Sequence, residues 1–212
     1  MERHPTRTLV FALVVAIALA CATGSRPSAT SGFLGDYTTL VKGRGNQARL
    51  VYFHVEADFS AYDAIIVDPV IVWDAEQAGP ARDPADESER QAGYFRQALR
   101  EHLADVYQLV EVPNPRTLRL RVAIVEGASS RVNIECELID SVSRERLIAA
   151  VDQRKLPTAS EGGAGAADFA GSADSADVDR IYDRWAEIIR DRLAALRDFD
   201  ASQKKADSAS AQ

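Results

Sequence analysis

Apolar and polar positions alternate with a period of two through the middle of the chain. In "TLRLRVAIV" (residues 117–125), apolar side chains alternate with Arg119 and Arg121, and in "VNIECELI" they alternate with Glu135 and Glu137. This period is typical of strands that bury one face. The pattern therefore predicts two strands with an apolar core face and a charged face.

The two strands match best as an antiparallel hairpin. Pairing Arg119 with Glu137 and Arg121 with Glu135 places opposite charges together on one face and apolar residues together on the other. The same register leaves Gly127, Ala128 and Ser129 as the loop, and a longer loop is the alternative. We expect the apolar face to be the core and the charged face to be open to water.

Further strands and two helices complete the predicted domain. Residues 146–154 form a third strand, and residues 63–73 form an apolar strand in which Asp68-Pro69 marks a bulge, a bend or an edge, because proline donates no ladder hydrogen bond. Apolar residues recur at helical spacing over residues 95–106 and 178–196. The predicted fold class is α+β: a single two-layer domain with a mostly antiparallel sheet and two amphipathic helices on one face.

The start of the chain has the features of a signal peptide, over residues 1–20. Arg3 and Arg7 form a basic start, and the twelve residues from Leu9 to Ala20 are apolar and uncharged. A membrane-spanning helix needs roughly 20 apolar residues, whereas a signal-peptide core has about 7–15. We interpret this segment as a signal peptide and not as a transmembrane helix.

Cys21 stands where the apolar core ends, and two cleavage sites compete there. Ala18-Leu19-Ala20 fits the general signal peptidase, whereas a small residue followed at once by Cys21 resembles the lipobox of bacterial lipoproteins. Leu19 lies two residues before the cysteine, one position later than in the usual lipobox. The next residues are rich in Ser, Thr, Gly and Pro, as a tether requires. We favour lipidation of Cys21 over simple secretion.

The resemblance to lipoproteins carries expectations about location. It implies three acyl chains, palmitate among them, and so a nearly permanent attachment to a membrane of the bacterial cell envelope. Ala22, in place of an aspartate, implies the outer membrane, with the periplasmic or surface face left open. A tether over residues 21–31 holds the domain roughly 20 Å from the membrane on average.

The mature chain divides into one domain with low-complexity segments. The domain covers residues 32–199 and includes a flexible loop at 157–176, and residues 200–212 form a disordered tail. Asp177, or Asp174 one turn earlier, is placed to cap the second helix.

Charge and the scarcity of reactive side chains limit the function classes. The chain carries a net charge of −7, which becomes −8 once residues 1–20 are removed, so we expect no nucleic-acid partner. Cys136 falls on the apolar strand face as a buried thiol. His54 and Glu56 lie close together without a third metal ligand, and His102 falls within a helix pattern. We therefore expect no cofactor, no metal and no catalytic residue; the alternative is a periplasmic hydrolase or other enzyme with an unrecognised site.

Several blocks of the chain resemble one bacterial lipoprotein family. "SGFLGDYTTL", "ADFSAYDAIIVDPVIVW", "LRLRVAIV", "ELIDSVSRERLIAAVD" and "YDRWAEIIRDRL", spread over residues 31–197, occur in an order similar to that of domain of unknown function 3313. The family has no established catalytic residues, so the resemblance implies a lipoprotein domain without a known reaction. Its members have Gly in the turn after "DSV", where this chain has Arg144.

The segment "SGFLGDYTTL" has two interpretations. Phe33, Leu34 and Tyr37 either pack onto the domain and fix where the tether leaves it, or dock onto another envelope protein. Because apolar residues beside a tether more often pack against their own domain, we favour the first interpretation.

The predicted function is that of a non-enzymatic binding or adaptor module whose protein partner in the envelope is unidentified. Two surfaces are candidates for the partner. One is the sheet edge at Asp68, Pro69 and Val70, where unpaired backbone groups can accept a strand, and the other is a groove beside Tyr182 and Trp185.

Overall fold

The computed structural model describes residues 30–82, 85–126, 131–156 and 175–210. Contacts between residues separate Met1–Thr30 from Ser31–Gln212, and Ser31–Gln212 forms one compact unit. The predicted signal peptide, Cys21 and most of the tether lie outside the described residues, as do Asp174 and residues 157–174 of the predicted loop.

The described residues contain nine strands that form one sheet. The strands are β1 (Val41–Lys42), β2 (Leu50–Phe53), β3 (Ala64–Val67), β4 (Ile71–Asp74), β5 (Gly79–Pro80), β6 (Gln108–Leu109), β7 (Thr117–Glu126), β8 (Arg131–Asp140) and β9 (Arg146–Lys155). Their order is β1-β2-β9-β8-β7-β3-β6, and β4 pairs with β7 and β5. Strands β3 and β4 run parallel to β7, and β6 runs parallel to β3. The predicted α+β class is confirmed, with a mixed sheet in place of a mostly antiparallel one.

The β7–β8 hairpin forms with the predicted faces but in a different register. Arg121 lies opposite Glu137, Leu120 opposite Leu138, and Arg119 opposite Ile139. The predicted pairing of Arg121 with Glu135 is therefore wrong by two positions along one strand. A slip of two positions returns every side chain to the same face, so the alternating pattern fits both registers equally well. The predicted loop residues 127–129 lie outside the described part of the chain.

The strand predicted over residues 63–73 is interrupted at proline, as expected. Val67 pairs with Leu120 and Ile71 pairs with Ala123, so three residues of this strand oppose two of β7. This extra residue is a β-bulge, and it places Pro69, which has no N–H, outside the ladder.

Two helices cover one face of the sheet: α1 (Asp86–Leu103) and α2 (Ser175–Ser210). Their apolar faces meet the sheet in one core, where the rings of Phe95 and Tyr182 stack at 4.8 Å. Asp177 lies inside the first turn of α2 and does not precede it, so it is not the cap.

Helix α2 continues through the residues that were predicted to be a disordered tail. The segment from residue 200 to residue 210 is helical, and residues 201–209 are exposed. It contains no Gly or Pro, and six of its eleven residues are Ala, Lys or Gln, which favour helices. The N–H of Phe59 donates to Asp200 Oδ2 at 2.7 Å, and Lys204 Nζ lies 2.5 Å from Asp58 Oδ2, so the beginning of this segment is attached to the domain.

The opposite sheet face is partly covered, contrary to the expectation that the charged face is open to water. A second apolar cluster lies there and joins Phe33 and Leu34 to Ala123, Ala149 and Val151. The N-terminal segment leaves the glutamates of this face buried, with Glu135 2% and Glu137 5% exposed. The strand pattern alone does not show this cover, because the covering residues lie about a hundred positions away in sequence.

Candidate functional site

Residues 31–40 lie across the charged sheet face, and we call this segment the clasp. Phe33 is 6% exposed and Leu34 is 4% exposed. The Phe33 ring meets Trp73 edge to face with 5.4 Å between ring centroids. Positive φ angles at Gly32 and Gly35 allow the tight turn that contains these two residues. The predicted packing of this segment onto its own domain is thus present in the structure.

A buried carboxylate holds the start of the clasp. Glu135 is 2% exposed, and it accepts hydrogen bonds from the Ser31 N–H at 3.1 Å and from the Tyr37 hydroxyl. The same hydroxyl accepts the N–H groups of Gly32 at 2.9 Å and Leu34 at 3.2 Å. One phenol oxygen therefore joins the clasp backbone to the sheet.

A second buried carboxylate organises the arginines beneath the clasp. Glu137 contacts Arg121 Nη1 and accepts from Arg146 Nε at 3.0 Å. Arg146 also donates to the backbone carbonyls of Asp36, at 2.8 Å, and Leu34. The Arg121 guanidinium lies 5.2 Å from the centre of the Phe33 ring, within the range of a cation–π contact. Glu137 and Arg146 together attach the middle of the clasp to β8 and β9.

The surroundings shift two pKa values within the clasp. Burial, followed by the hydrogen bond to Glu135, raises the pKa of Tyr37, so the hydroxyl keeps its proton. The hydroxyl and N–H of Thr38 both donate to Asp36 and lower the pKa of that carboxyl. At neutral pH the clasp therefore has a neutral phenol and an ionised Asp36.

An open cleft of about 540 Å³ lies beside the clasp on the same sheet face. Three arginines and two carboxylates line it, together with Tyr52, Thr39 and two apolar residues; the charged residues are Arg121, Arg144, Arg146, Asp36 and Glu137. The cleft therefore has a local excess of positive charge on a chain whose net charge is −7.

The two surfaces predicted to bind a partner differ from the expectation. Val70 is 8% exposed and belongs to the core, and Asp68 is half-buried and paired with Arg119 at 3.0 Å, so Pro69 is the exposed residue of these three. Tyr182 and Trp185 are 0% and 3% exposed. These two aromatics form the core between helix and sheet, so neither side chain is open to a partner, and a groove beside their helix stays a prediction.

The remaining candidate side chains lie apart from the clasp. His54 Nδ1 is 3.4 Å from Glu145, and His102 Nε2 is 3.6 Å from Asp183, so the structure does not bring the two histidines into one site. Cys136 is buried as predicted, and burial raises the pKa of its thiol to about 12. Within residues 30–82, 85–126, 131–156 and 175–210, no group of three or more His, Cys, Asp or Glu side chains could hold a metal ion. No helix in the described part of the chain is long and apolar enough to cross a membrane.

Sequence reasoning missed three residues that build the site: Trp73, Arg146 and Tyr52. Trp73 Nε1 donates to the Ser31 carbonyl at 2.9 Å. Arg146 begins the third predicted strand, and its charge was a usable signal because no acidic partner lies opposite it in that strand pattern. Nothing in the local pattern distinguishes Tyr52 from other residues of a short strand.

The chain is similar in sequence to one known protein family. Residues 29–132 match the family described as protein of unknown function (DUF3313). This match confirms the resemblance over the clasp and the strands from β1 to β7. A search of curated proteins found no match.

Several solved structures have partial similarity to the chain. Protein XCC0632 from Xanthomonas campestris is 8% identical with a TM-score of 0.41, over 72% of this chain and 93% of its own. A variant PelC dodecamer from Paraburkholderia phytofirmans is 13% identical with a TM-score of 0.39, over 69% of this chain and 95% of that one. Lipoprotein GNA1162 from Neisseria meningitidis is 13% identical with a TM-score of 0.34, over 48% and 86% of the two chains. Such low TM-scores carry no information about function.

Proposed function

We propose that this protein is a lipid-anchored protein of the bacterial cell envelope that acts as a non-enzymatic binding or adaptor module. The observation that carries the proposal is the position of the clasp. It begins at Ser31, only ten residues after Cys21, and its first residue is hydrogen-bonded to the buried Glu135. A short tether that is fixed at its far end is what an anchored domain needs.

The anchor and the clasp have complementary roles in this proposal. Acyl chains on Cys21 hold the membrane end, since each buried methylene contributes about 0.8 kcal/mol. At the other end, the buried carboxylates and Arg146 hold the clasp, so a pull on the tether acts on hydrogen bonds to the sheet and not on a loose terminus. The free tether is then limited to the residues between Cys21 and Ser31.

The proposed location is the outer membrane, with Ala22 as the supporting residue. The proposed partner is another protein of the envelope, because the acidic mature chain repels nucleic acid. With Tyr182, Trp185 and Val70 in the core, Pro69 at the bulge is the remaining exposed residue of the surfaces considered from the sequence.

Crosslinking in intact cells, combined with loss of the anchor, tests this proposal. A photo-crosslinking residue replaces Pro69, with the same residue at exposed Arg180 on α2 as the matched control. We expect the Pro69 probe to capture one envelope protein repeatedly, the control not to capture it, and Cys21→Ser to release the protein from membranes and weaken the capture. A purified protein that turns over a substrate, and loses turnover in His54→Ala or Glu56→Gln, would contradict the non-enzymatic role.

A further inference from the structure

The three arginines of the cleft differ in how many of their N–H groups are already used. Every guanidinium nitrogen of Arg146 is already engaged, because Nε, Nη1 and Nη2 each donate to Glu137 or to a clasp carbonyl. Arg121 uses Nη1 on Glu137, and its other guanidinium nitrogens have no partner among the described residues. Arg144 is exposed, and its guanidinium pairs with no carboxylate in the described part of the chain. Arg121 and Arg144 therefore present free donors to the cleft.

The hydroxyls and carboxylates of the cleft also differ in whether they already form hydrogen bonds. Thr39 and Tyr52 line the cleft, and their hydroxyls make no hydrogen bond to any described residue. Glu137 is already bound by two arginines, and Asp36 accepts the Thr38 hydroxyl at 2.7 Å and N–H at 2.8 Å. Four residues of the cleft thus keep unused donors, namely Arg121, Arg144, Thr39 and Tyr52, while both of its carboxylates are engaged.

The backbone at Arg144 is a second, independent observation. Arg144 has a φ of +67°, a left-handed conformation that is costly for residues with a side chain and that glycine adopts readily. It lies in the β8–β9 turn, where Asp140 accepts the Arg144 N–H at 3.1 Å through its carbonyl. Local strain of this kind is often found at functional positions. An arginine at this turn position places a cation at the cleft at the expense of backbone stability.

We propose that this cleft binds a phosphate group, with Arg121 and Arg144 as its cationic contacts and Thr39 and Tyr52 as hydroxyl donors. Arginine binds phosphate oxygens through paired N–H groups, and donors that come from several elements suit a tetrahedral anion better than a planar carboxylate. The cleft volume of about 540 Å³ is also within the range of small-ligand sites. The phosphate belongs either to a lipid headgroup or to a soluble phosphate ester. The proposal does not depend on lipidation of Cys21 or on an adaptor role.

Binding measurements on the full mature chain carrying Cys21→Ser distinguish the two sources, because this variant cannot insert an anchor into lipid. Calorimetric titration with glycerol 3-phosphate tests the soluble ester, with acetate as the carboxylate comparison. Flotation with phosphatidylcholine vesicles, with and without phosphatidylglycerol, tests the headgroup. Binding in either phosphate arm supports the proposal and names the source. Absence of binding in both arms overturns it, and acetate binding as tight as phosphate binding overturns the phosphate assignment.

Two matched variants connect the binding to the cleft. Arg144→Gly removes the guanidinium and relieves the positive φ, so the urea midpoint should be equal to or higher than that of the parent protein. We expect it to weaken phosphate binding by about tenfold or more. Arg180→Gln removes the same charge from an exposed position on α2 and should leave binding within about twofold, since exposed charges far from a site act weakly. Equal losses in both variants would show a general charge effect and would overturn the site.

Discussion

The clasp can be weakened by removing a single oxygen atom, in Tyr37→Phe. The Tyr37 hydroxyl donates to Glu135 and accepts the N–H groups of Gly32 and Leu34. Phenylalanine keeps the ring and its packing, so the variant isolates the hydrogen bonds. It leaves a carboxylate that is 2% exposed with one fewer donor.

The size of the effect follows from the kinds of hydrogen bond that are lost. A hydrogen bond to a charged group contributes about 1.5–3 kcal/mol, and a neutral one about 0.5–1.5 kcal/mol. The clasp can also detach on its own, which limits the loss in global stability to the free energy of clasp docking. We therefore expect Tyr37→Phe to lower the free energy of unfolding by about 2–4 kcal/mol.

Urea unfolding monitored by circular dichroism measures this loss. Tyr94→Phe is the matched control, since the Tyr94 hydroxyl makes no hydrogen bond to the described residues. It should cost less than about 0.5 kcal/mol. If Tyr37→Phe cost no more than Tyr94→Phe, the phenol would not hold the clasp, and the reasoning from the buried carboxylate would be refuted.

Three further predictions concern the core and the sheet. Val122→Asp should abolish cooperative urea unfolding, because it places a charge opposite Cys136 at a position that is 2% exposed. Arg121→Gln should lower the free energy of unfolding by only about 1–2 kcal/mol, because Arg146 still binds Glu137. Equal losses in the two variants would show that the faces are misassigned. Cys136 should resist iodoacetamide at pH 8 until urea unfolds the protein, since burial raises its thiol pKa to about 12; rapid labelling followed by mass spectrometry would contradict this. Val70→Lys should lower the thermal midpoint because Val70 is a core residue, and an unchanged midpoint would mean that the edge is exposed after all.

The alternation of residues in β7 and β8 was sufficient to predict both strands and their faces. A period of two is a local property, and each face needs only that property to be assigned. The alternation did not determine the register of the β7–β8 hairpin. Arginine meets glutamate in both registers, and the number of loop residues decides between them. Only the structure distinguishes two hairpins whose side chains occupy the same faces.

The parallel pairing of β3 and β4 with β7 was not predictable from the pattern. Proline predicted the interruption at Pro69 because its missing N–H is a local constraint. Which strand the two halves join is a long-range question, and an apolar strand suits a parallel or an antiparallel neighbour equally. The mixed sheet depends on that pairing.

The candidate site was also predictable only in part. Apolar residues near the tether predicted the clasp, because Phe33 and Leu34 need a surface to bury against. Burial of Glu135 could not be predicted, since a glutamate at a strand position looks the same whether water or a clasp covers it. Tyr182 and Trp185 were assigned to a groove for a related reason: an aromatic on an amphipathic helix suits a core and a binding surface alike.

The central claim is that the mature protein begins at a lipidated Cys21. Mass spectrometry of the N-terminal peptide, isolated from native membranes, tests it directly. We predict that the peptide begins at Cys21 and carries the mass of acyl chains on its thiol and amine. A peptide that begins at Cys21 with a free amine and a free thiol, or a chain cleaved elsewhere and released into the soluble fraction, would contradict the account.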